Sequence, residues 1–348
     1  MNKHKISIVG YGRIGSRHAQ IIKSSVDFEL VGISETNKIT RETAEAEMGN
    51  LVFDDTLRMI SETKPDTVVI CTESGNHYQH VMEIADLVKT IVVEKPMALR
   101  LDHAREMIDA CTKHKTNLFV VKQNRYNLPI VKTRELFEKG VFGQITLATV
   151  RVRWCRDQNY YGLNDWRGTW KLDGGVLANQ ASHHLDILQW FLGEIESVFA
   201  YSSTVLTKIE AEETIICVLK SKDGVLGIVE ATNTARPKNL EGSFSILGEN
   251  GSIVVGGDAM NKFDSIRFKD NLHQEIASLH ENPPDVYGFG HTKFYQELNK
   301  FLLGHDSNLV QAEEGFKNVE LLDAIYLSCE TGQEVRLPLI DYKGKLGS

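Results

Sequence analysis

Three short stretches hold residues whose types and spacing suit chemistry: GYGRIG (10–15), EKPMAL (94–99) and GGVLANQASHHLD (174–186). The first has the form G-x-G-x-x-G. In that spacing Gly10 permits a tight turn, Gly12 lets the backbone approach a pyrophosphate, and Gly15 lets a helix pack closely on a strand. The pyrophosphate then lies at the positive end of the helix dipole. Glu35 stands twenty residues after Gly15, at the end of the next apolar run. A carboxylate there accepts hydrogen bonds from ribose hydroxyls and repels a 2′-phosphate, which favours NAD over NADP. Asn37 and Lys38 stand within reach of the same ribose.

In EKPMAL, Lys95 follows a buried apolar run and so lies at the carboxyl edge of a sheet, where ligands bind in open α/β folds. Pro96 permits a cis bond that aims the lysine inward; a solvated lysine on a surface turn is the plainer reading. In the third stretch His183 and His184 are neighbours. On a helix they point about 100° apart and cannot face one point. Helical ligand pairs need a spacing of three or four, so no metal is expected. The choice left is between a catalytic histidine and one that only begins a helix.

The surrounding elements must position these residues. Residues 1–125 alternate strand-like runs with helix-like segments. The runs are KISIVG (5–10), FELVGISE (28–35), DTVVICT (66–72), TIVVEKP (90–96) and NLFVVKQ (117–123). The helical segments are 13–24, 40–47, 55–62, 76–88 and 102–114, with Asp102 as a suitable N-cap for the last. Val- and Ile-rich strands, each followed by a helix, predict a doubly wound (Rossmann) parallel sheet. Beyond it the pattern changes. A helix at 129–139 ends at Gly140, and a long strand at 144–154 is followed by strands at 195–204, 211–219, 225–232, 242–247 and 251–256. Turn signals such as KDG (222–224) and GENG (248–251) make this a mostly antiparallel sheet. The stretch 272–290, with Pro283 and Pro284, reads as a loop, and helices are expected at 290–303 and 311–331. The expected organisation is an NAD-binding domain over 1–125 and an α+β substrate domain over 126–348, whose last helix packs back.

Composition narrows the partners. The 348 residues are 42% hydrophobic and 25% charged, as in ordinary globular chains, and the net charge is −8. An acidic balance argues against nucleic acid or an anionic membrane as partner. The five cysteines are scattered without a CxxC, which fits reduced thiols in a cytoplasm. MNKHKISIVG runs straight into a strand and a glycine turn, so no signal peptide is expected. No apolar run approaches the ~18 residues of a membrane helix.

GYGRIG, CTESGNHYQH (71–80), EKP and GGVLANQASHHLD occur in the order found in the Gfo/Idh/MocA oxidoreductases, NAD(P)-dependent sugar and inositol dehydrogenases. The likeness continues into EEGFKNVELLDAIYLSCETGQEVRLP (313–338), so the chain resembles that family over essentially its whole length. The resemblance implies NAD held by Gly10, Gly12, Arg13, Ile14, Gly15, Glu35, Thr72, Asn76, His77, Glu94, Lys95 and Gln123, with Trp166 and Arg167 at the cofactor edge of the site. It places Lys95 beside the nicotinamide and the substrate hydroxyl. The family pattern GGxxxDxxxHxxD falls here on Gly174, Gly175, Asn179, His183 and Asp186, which makes His183 the catalytic histidine. Asn179 stands where many members carry aspartate. Asparagine takes no proton at neutral pH, so it orients a hydroxyl or the histidine, and the proton goes to His183, Lys95 or both.

RVRWCRDQNYYGLNDWRGTWKLDGG (151–175) resembles the branch that oxidises C3 of UDP-linked N-acetyl amino sugars or their uronates, in nucleotide-sugar and surface-polysaccharide biosynthesis. The run interleaves Arg151, Arg153, Arg156 and Arg167 with Trp154, Trp166 and Trp170. Aromatic faces stack on sugar or base, and guanidinium forks hold carboxylate or phosphate. Arg153 is a candidate for the substrate anion, with Trp154, Asn124 and Arg125 on the substrate side. Outward arginines with core tryptophans are the alternative. The resemblance further implies a homodimer or homotetramer formed through an exposed sheet face. The expected reaction takes hydride from a secondary alcohol to nicotinamide and its proton to a base. The same fold also carries other sugar and inositol dehydrogenases, 3-keto-sugar reductases and NAD-dependent glycosidases. A non-catalytic NAD sensor is disfavoured by the retention of Lys95 and His183.

Overall fold

The computed structural model describes residues 3–257, 260–283, 287–340 and 344–348. They form two compact units: residues up to Val121 with Phe294–Phe316, and Lys122–Lys293 with Lys317–Ser348. The first unit also takes a segment of the tail that the sequence pattern assigns to the second.

In the first unit the strands are β1 (His4–Val9), β2 (Phe28–Ser34), β3 (Val52–Phe53), β4 (Thr67–Ile70), β5 (Thr90–Val93) and β6 (Asn117–Val120). They pair in parallel in the order β3-β2-β1-β4-β5-β6. Helices α1 (Arg13–Ser24), α2 (Lys38–Met48), α3 (Thr56–Thr63), α4 (His77–Ile84) and α5 (Leu101–His114) lie between them in sequence. Burial explains the strand composition: β4 (TVVI) and β5 (TIVV) are buried at every position, as strands covered on both faces must be. Because all strands run one way, their carboxyl ends share one edge. Gly10, Glu35, Thr72, Glu94 and Lys95 therefore gather there from four strands. The two-residue β3 is too short to leave a pattern in the sequence. Asp102 is not the cap of α5; Arg100 holds that position, and Asp102 sits in the first turn. There its carboxyl hydrogen-bonds the Arg100 guanidinium, which holds its pKa at about 2.

In the second unit a mixed sheet has the order β13-β12-β11-β7-β10-β9-β8-β14. Its strands are β7 (Ile145–Arg153), β8 (Ile195–Ser203), β9 (Thr214–Ser221), β10 (Leu226–Thr232), β11 (Glu241–Gly248), β12 (Gly251–Gly256), β13 (Lys262–Phe268) and β14 (Val335–Arg336). All pairs are antiparallel except β7 with β10. Helices α6 (Leu128–Glu138), α7 (Gln158–Tyr161) and α8 (Ser182–Leu192) precede or interrupt the strands. Helices α9 (Gly290–Leu302) and α10 (Ala312–Thr331) each pass along the chain from one unit to the other. The expected loop at 272–290 contains a 3₁₀ turn at Gln274–Ser278 and leads into α9 at its end; Pro284 lies outside the described residues.

The sheet has two unlike faces. Helix α8 packs on one: Phe191 meets Phe244 of β11 with ring centroids 4.7 Å apart, and a Cβ on Gly227 of β10 would meet Leu192 at 2.7 Å. The other face alternates outward along β9, where Ile216 and Val218 are exposed, and joins Tyr201 of β8 through the register Tyr201↔Ile216. The same row continues to Glu230 and Arg151.

Candidate functional site

In the first unit the glycine turn is fixed by contact. Gly10 has φ +91°, and a Cβ there would touch the Cys71 carbonyl at 3.0 Å. A Cβ on Gly15 would lie 2.1 Å from the Gly10 carbonyl oxygen. Gly12 differs: nothing lies within 4 Å of where its Cβ would be. It caps α1 in extended conformation, and the first turn behind it contains no acidic residue. No protein packing demands a glycine there, whereas a ligand pressed against the backbone does. The first-turn amides, which have no acceptor within a helix, face the same end. The residues therefore fit a dinucleotide pyrophosphate.

Glu35 is aimed by the main chain. Its Oε2 accepts from Tyr11 N at 2.8 Å and its Oε1 from Asn37 N at 2.8 Å. Each oxygen keeps a lone pair for a ribose hydroxyl. Asn37 is occupied as the cap of α2, accepting from Thr40 N at 3.1 Å, and Lys38 is an exposed partner of Glu42. Glu35 is thus the acidic group next to the glycine turn.

Around Lys95 the scaffold is buried and polar. Glu94 bonds His18 Nε2 at 3.0 Å through Oε1 and accepts from Lys95 N at 3.1 Å through Oε2. His18 Nδ1 meets Tyr295 Oη at 2.7 Å. The chain Tyr295–His18–Glu94 fixes the backbone of Lys95, whose own side chain is half-buried. The Lys95–Pro96 peptide is cis. His77 is buried, with Nδ1 2.8 Å from the Pro96 carbonyl and Nε2 3.2 Å from the Thr72 carbonyl. Burial pushes its pKa down, so the neutral ring donates one hydrogen, and the shorter contact assigns it to Pro96. His77 was expected on the cofactor; its ring is instead committed to the turn that presents Lys95. Asn76 donates to Glu73 at 3.0 Å, and Thr72 Oγ1 is buried with no partner among the described residues. Arg13 and Ile14 occupy the first turn of α1.

In the second unit His183 is buried at the start of α8, 2.7 Å from Gln123 through Nε2. A glutamine amide donates to an unprotonated ring nitrogen and, turned over, accepts from a protonated one. It therefore suits either protonation state of His183. Asn179 donates its amide to Asp173, whose other oxygen accepts from Gly168 N at 2.7 Å. Asp186 binds Arg125 through two bonds of 2.8 and 2.9 Å and lies 3.6 Å from buried Lys122. Burial pushes Asp186 up, but these two cations more than offset it and hold the carboxyl below its ordinary range. Arg125 also stacks on Trp190 at 4.8 Å, so its charge is spent on anchoring α8. Asn124 is buried in the 3₁₀ turn Gln123–Tyr126. His184 is buried and points elsewhere, with its ring edge-on to Trp154 at 6.0 Å.

Arg153 does not share the face of His183. It pairs with Glu230 at 2.6 Å and Glu241 at 3.1 Å on the outward side of the sheet, opposite α8. The strand alternation that buries Trp154 turns Arg153 outward. Two other arginines of the same run have no acidic partner among the described residues. Arg167 stacks between Tyr160 at 4.5 Å and Trp166 at 4.6 Å, and Arg156 lies over Trp154 and Tyr160, each at 5.2 Å.

Several site-building residues left no motif. Glu212, Tyr326, His18 and Tyr295 act through contacts far apart in sequence. Only Asp173 had a local signal, six residues before Asn179 in the same turn.

Two family models match the chain. One, described as "Oxidoreductase family, NAD-binding Rossmann fold", covers residues 4–122; the other, "Oxidoreductase family, C-terminal alpha/beta domain", covers 134–337. Among solved structures, the WlbA dehydrogenase from Bordetella pertussis, in complex with NADH and UDP-GlcNAcA, is 38% identical. The match has a TM-score of 0.89 and covers 98% of this chain and 99% of that one. The WlbA dehydrogenase from Chromobacterium violaceum, with the same two ligands, is 37% identical with a TM-score of 0.91, covering 98% of both chains. D-glucoside 3-dehydrogenase of Escherichia coli is 26% identical over 96% of this chain and 97% of its own.

Proposed function

This chain is a member of the Gfo/Idh/MocA oxidoreductase family, and on that premise we propose that it oxidises the C3 hydroxyl of a UDP-linked N-acetyl amino sugar or its uronate with NAD. The observation that carries the substrate class is the match, over 98% of the chain, to two dehydrogenases holding NADH and UDP-GlcNAcA. Gly10, Gly12, Gly15 and the first turn of α1 hold the pyrophosphate of NAD, and Glu35 holds its adenosine ribose. Bound NAD supplies the hydride acceptor. The protein supplies the proton chemistry. Lys95 holds the carbinol oxygen by charge as its proton leaves. His183 receives that proton, with Gln123 turning to match its new state. Asn179 orients the hydroxyl and does not titrate.

Arg156 and Arg167, stacked on aromatic rings and unmatched by carboxylates, take the anionic part of the substrate in place of Arg153. The outward sheet face pairs with a second copy through Tyr201, Ile216 and Val218, giving a homodimer or a tetramer built from it. No described helix is long and apolar enough to cross a membrane, and the five cysteines are unpaired, which supports a reducing cytoplasm.

The test is a panel of UDP-sugars and free sugars, followed at the NADH absorbance band, with 2-oxoglutarate present to recycle retained cofactor. Turnover of UDP-GlcNAcA or UDP-N-acetylglucosamine supports the assignment. Turnover of free glucosides or inositols alone replaces it with the second reading, which the Escherichia coli relative favours.

A further inference from the structure

The turn that carries Asn179 hangs on a residue from another part of the second unit. Glu212 lies just before β9 and is buried. Its Oε1 accepts from Leu177 N at 3.0 Å and from Tyr326 Oη at 3.0 Å, and its own carbonyl accepts from Val176 N at 2.9 Å. Tyr326, in α10, in turn accepts from Ala178 N at 3.3 Å. Three successive amides, those of residues 176, 177 and 178, are thereby satisfied by one glutamate and one tyrosine. The approach is close: a Cβ on Gly175 would fall 1.9 Å from Glu212 Oε2. Only glycine lets the carboxyl reach the turn.

Two bonds later the same turn reaches the chemistry. Asn179 N bonds to the Gly175 carbonyl at 3.0 Å, its side chain is held by Asp173, and α8 begins three residues on with His183 in its first turn. Displacing 176–178 therefore displaces Asn179 and the start of α8 together.

We propose that Glu212 and Tyr326 are positioning residues that hold the 174–179 turn, and through it Asn179 and His183, in the working arrangement. The inference rests on the roles proposed above for Asn179 and His183. Glu212 is buried against the turn and acts through it.

The charge state follows from the surroundings. The groups that act on Glu212 are Asp173 from the preceding turn and Tyr326 from α10, while Tyr161 of α7 and Cys329 of α10 respond to its charge. None is a cation. Burial pushes the Glu212 carboxyl up to about 7, against the pull of its amide and tyrosine donors. A neutral acid keeps a carbonyl acceptor for Leu177 and Tyr326, so glutamine is its nearest mimic.

The experiment uses the full chain with NADH bound and compares Glu212→Leu, Glu212→Gln and Tyr326→Phe. Backbone amide exchange, read by mass spectrometry, needs no substrate. Leucine removes the acceptor, and exchange over 174–186 should speed about tenfold, with the first unit unchanged. In the same variant kcat with UDP-GlcNAcA should fall about 10- to 100-fold, the scale of a misplaced reacting group, while NADH affinity holds. Glutamine should restore both, and Tyr326→Phe should fall between. If Glu212→Leu does not fold, Tyr326→Phe carries the test, because it removes a hydroxyl and keeps the ring. Unchanged exchange over 174–186, uniformly faster exchange everywhere, or a glutamine variant as damaged as leucine overturns the inference. So does a loosened turn with full kcat. A wild type that turns over no UDP-sugar defeats the proposed function instead, and the exchange data still decide whether the pair holds the turn.

Discussion

Gly10 and Gly15 keep the nucleotide turn in shape by contact with each other and with the adjacent strand at Cys71. The histidine turn is held by partners 35, 60 and 148 positions away along the chain: Glu212 to Leu177, Gln123 to His183, and Tyr326 to Ala178. The first is a steric device. Its constraint is that a side chain has no room, and glycine identity states that constraint directly. The second is a polar network in a buried region, where each unpaired amide costs about 1–3 kcal/mol and must find a partner wherever the fold brings one. A steric turn tolerates little variation in its own residues; a hung turn depends on residues that look unrelated to it.

The largest expected effect belongs to the groups both regions exist to present. Lys95→Ala and His183→Asn should each lower kcat on the order of 10²–10⁴-fold, with the fold intact by circular dichroism. Asn179→Ala should lose less, since an amide that never titrates supplies orientation only. Near-normal turnover in both the Lys95 and His183 variants would remove the acid–base assignment and leave the comparison without its chemical purpose.

Next in size is the pH dependence of the hung turn. Glu212 is raised by burial from 4.5 to about 7 in the folded chain. Its contribution to stability is therefore full below 4.5 and is lost as pH rises through about 7. At 1.36 kcal/mol per unit the loss is about 3 kcal/mol. His184, one residue from His183, behaves oppositely: burial lowers it from 6.5 to about 4, so its contribution is present above 6.5 and lost as pH falls through 4. The two slopes nearly cancel between pH 4.5 and 6.5. Glu212→Gln should make the protein gain stability as pH rises across that window, and His184→Gln should make it lose stability. Urea melts at three pH values read both signs; parallel profiles for all three proteins would refute the buried charge states.

How much of this was legible follows the same division. Strands rich in Val and Ile exposed the parallel sheet, because burial on both faces leaves no other composition. GYGRIG marked the tight glycine turn, and Glu35 the carboxylate held beside it. His77 stood equally for a neighbour of the ribose and for a residue at a helix start, because a buried histidine donating to the Pro96 carbonyl has the same letter as one beside a ribose. The face of Arg153 was open in the sequence because one step along a strand reverses it, and only pairing with β10 and β11 reveals which side α8 covers. Glu212 and Tyr326 carry no local pattern at all. The short β3 and β14, of two residues each, fall below the length at which periodicity exists.

Gly12 sharpens the contrast at intermediate size. Its Cβ direction is open to 4 Å and its backbone is extended, so Gly12→Ala should fold normally. It should still weaken NADH about tenfold, because the added methyl occupies space the pyrophosphate needs. Fluorescence titration of NADH measures this directly. Gly175→Ala is the counterpart: with Glu212 Oε2 only 1.9 Å away, it should lose solubility or melt early with no cofactor effect of its own. Normal NADH binding by Gly12→Ala would mean the open space is not the cofactor's.

The smallest effect separates two arginines of one run. Arg153 faces Glu230 and Glu241, so its charge is already neutralised, and replacing it leaves both carboxylates to Arg151 at 3.8 Å on the outer sheet face. Arg167 is held by stacking and donates only to neutral acceptors, Asn164 and Tyr160, so its charge is available to a ligand. Arg167→Ala should raise KM for UDP-GlcNAcA about tenfold, the worth of a charge-assisted bond, and flatten the dependence of KM on salt. Arg153→Ala should change KM less than about twofold, because surface ion pairs contribute little and this one turns away from α8. If the Arg153 variant instead shows the larger KM effect, its face meets substrate in the assembled oligomer, and the anion site belongs to the outward side of the sheet.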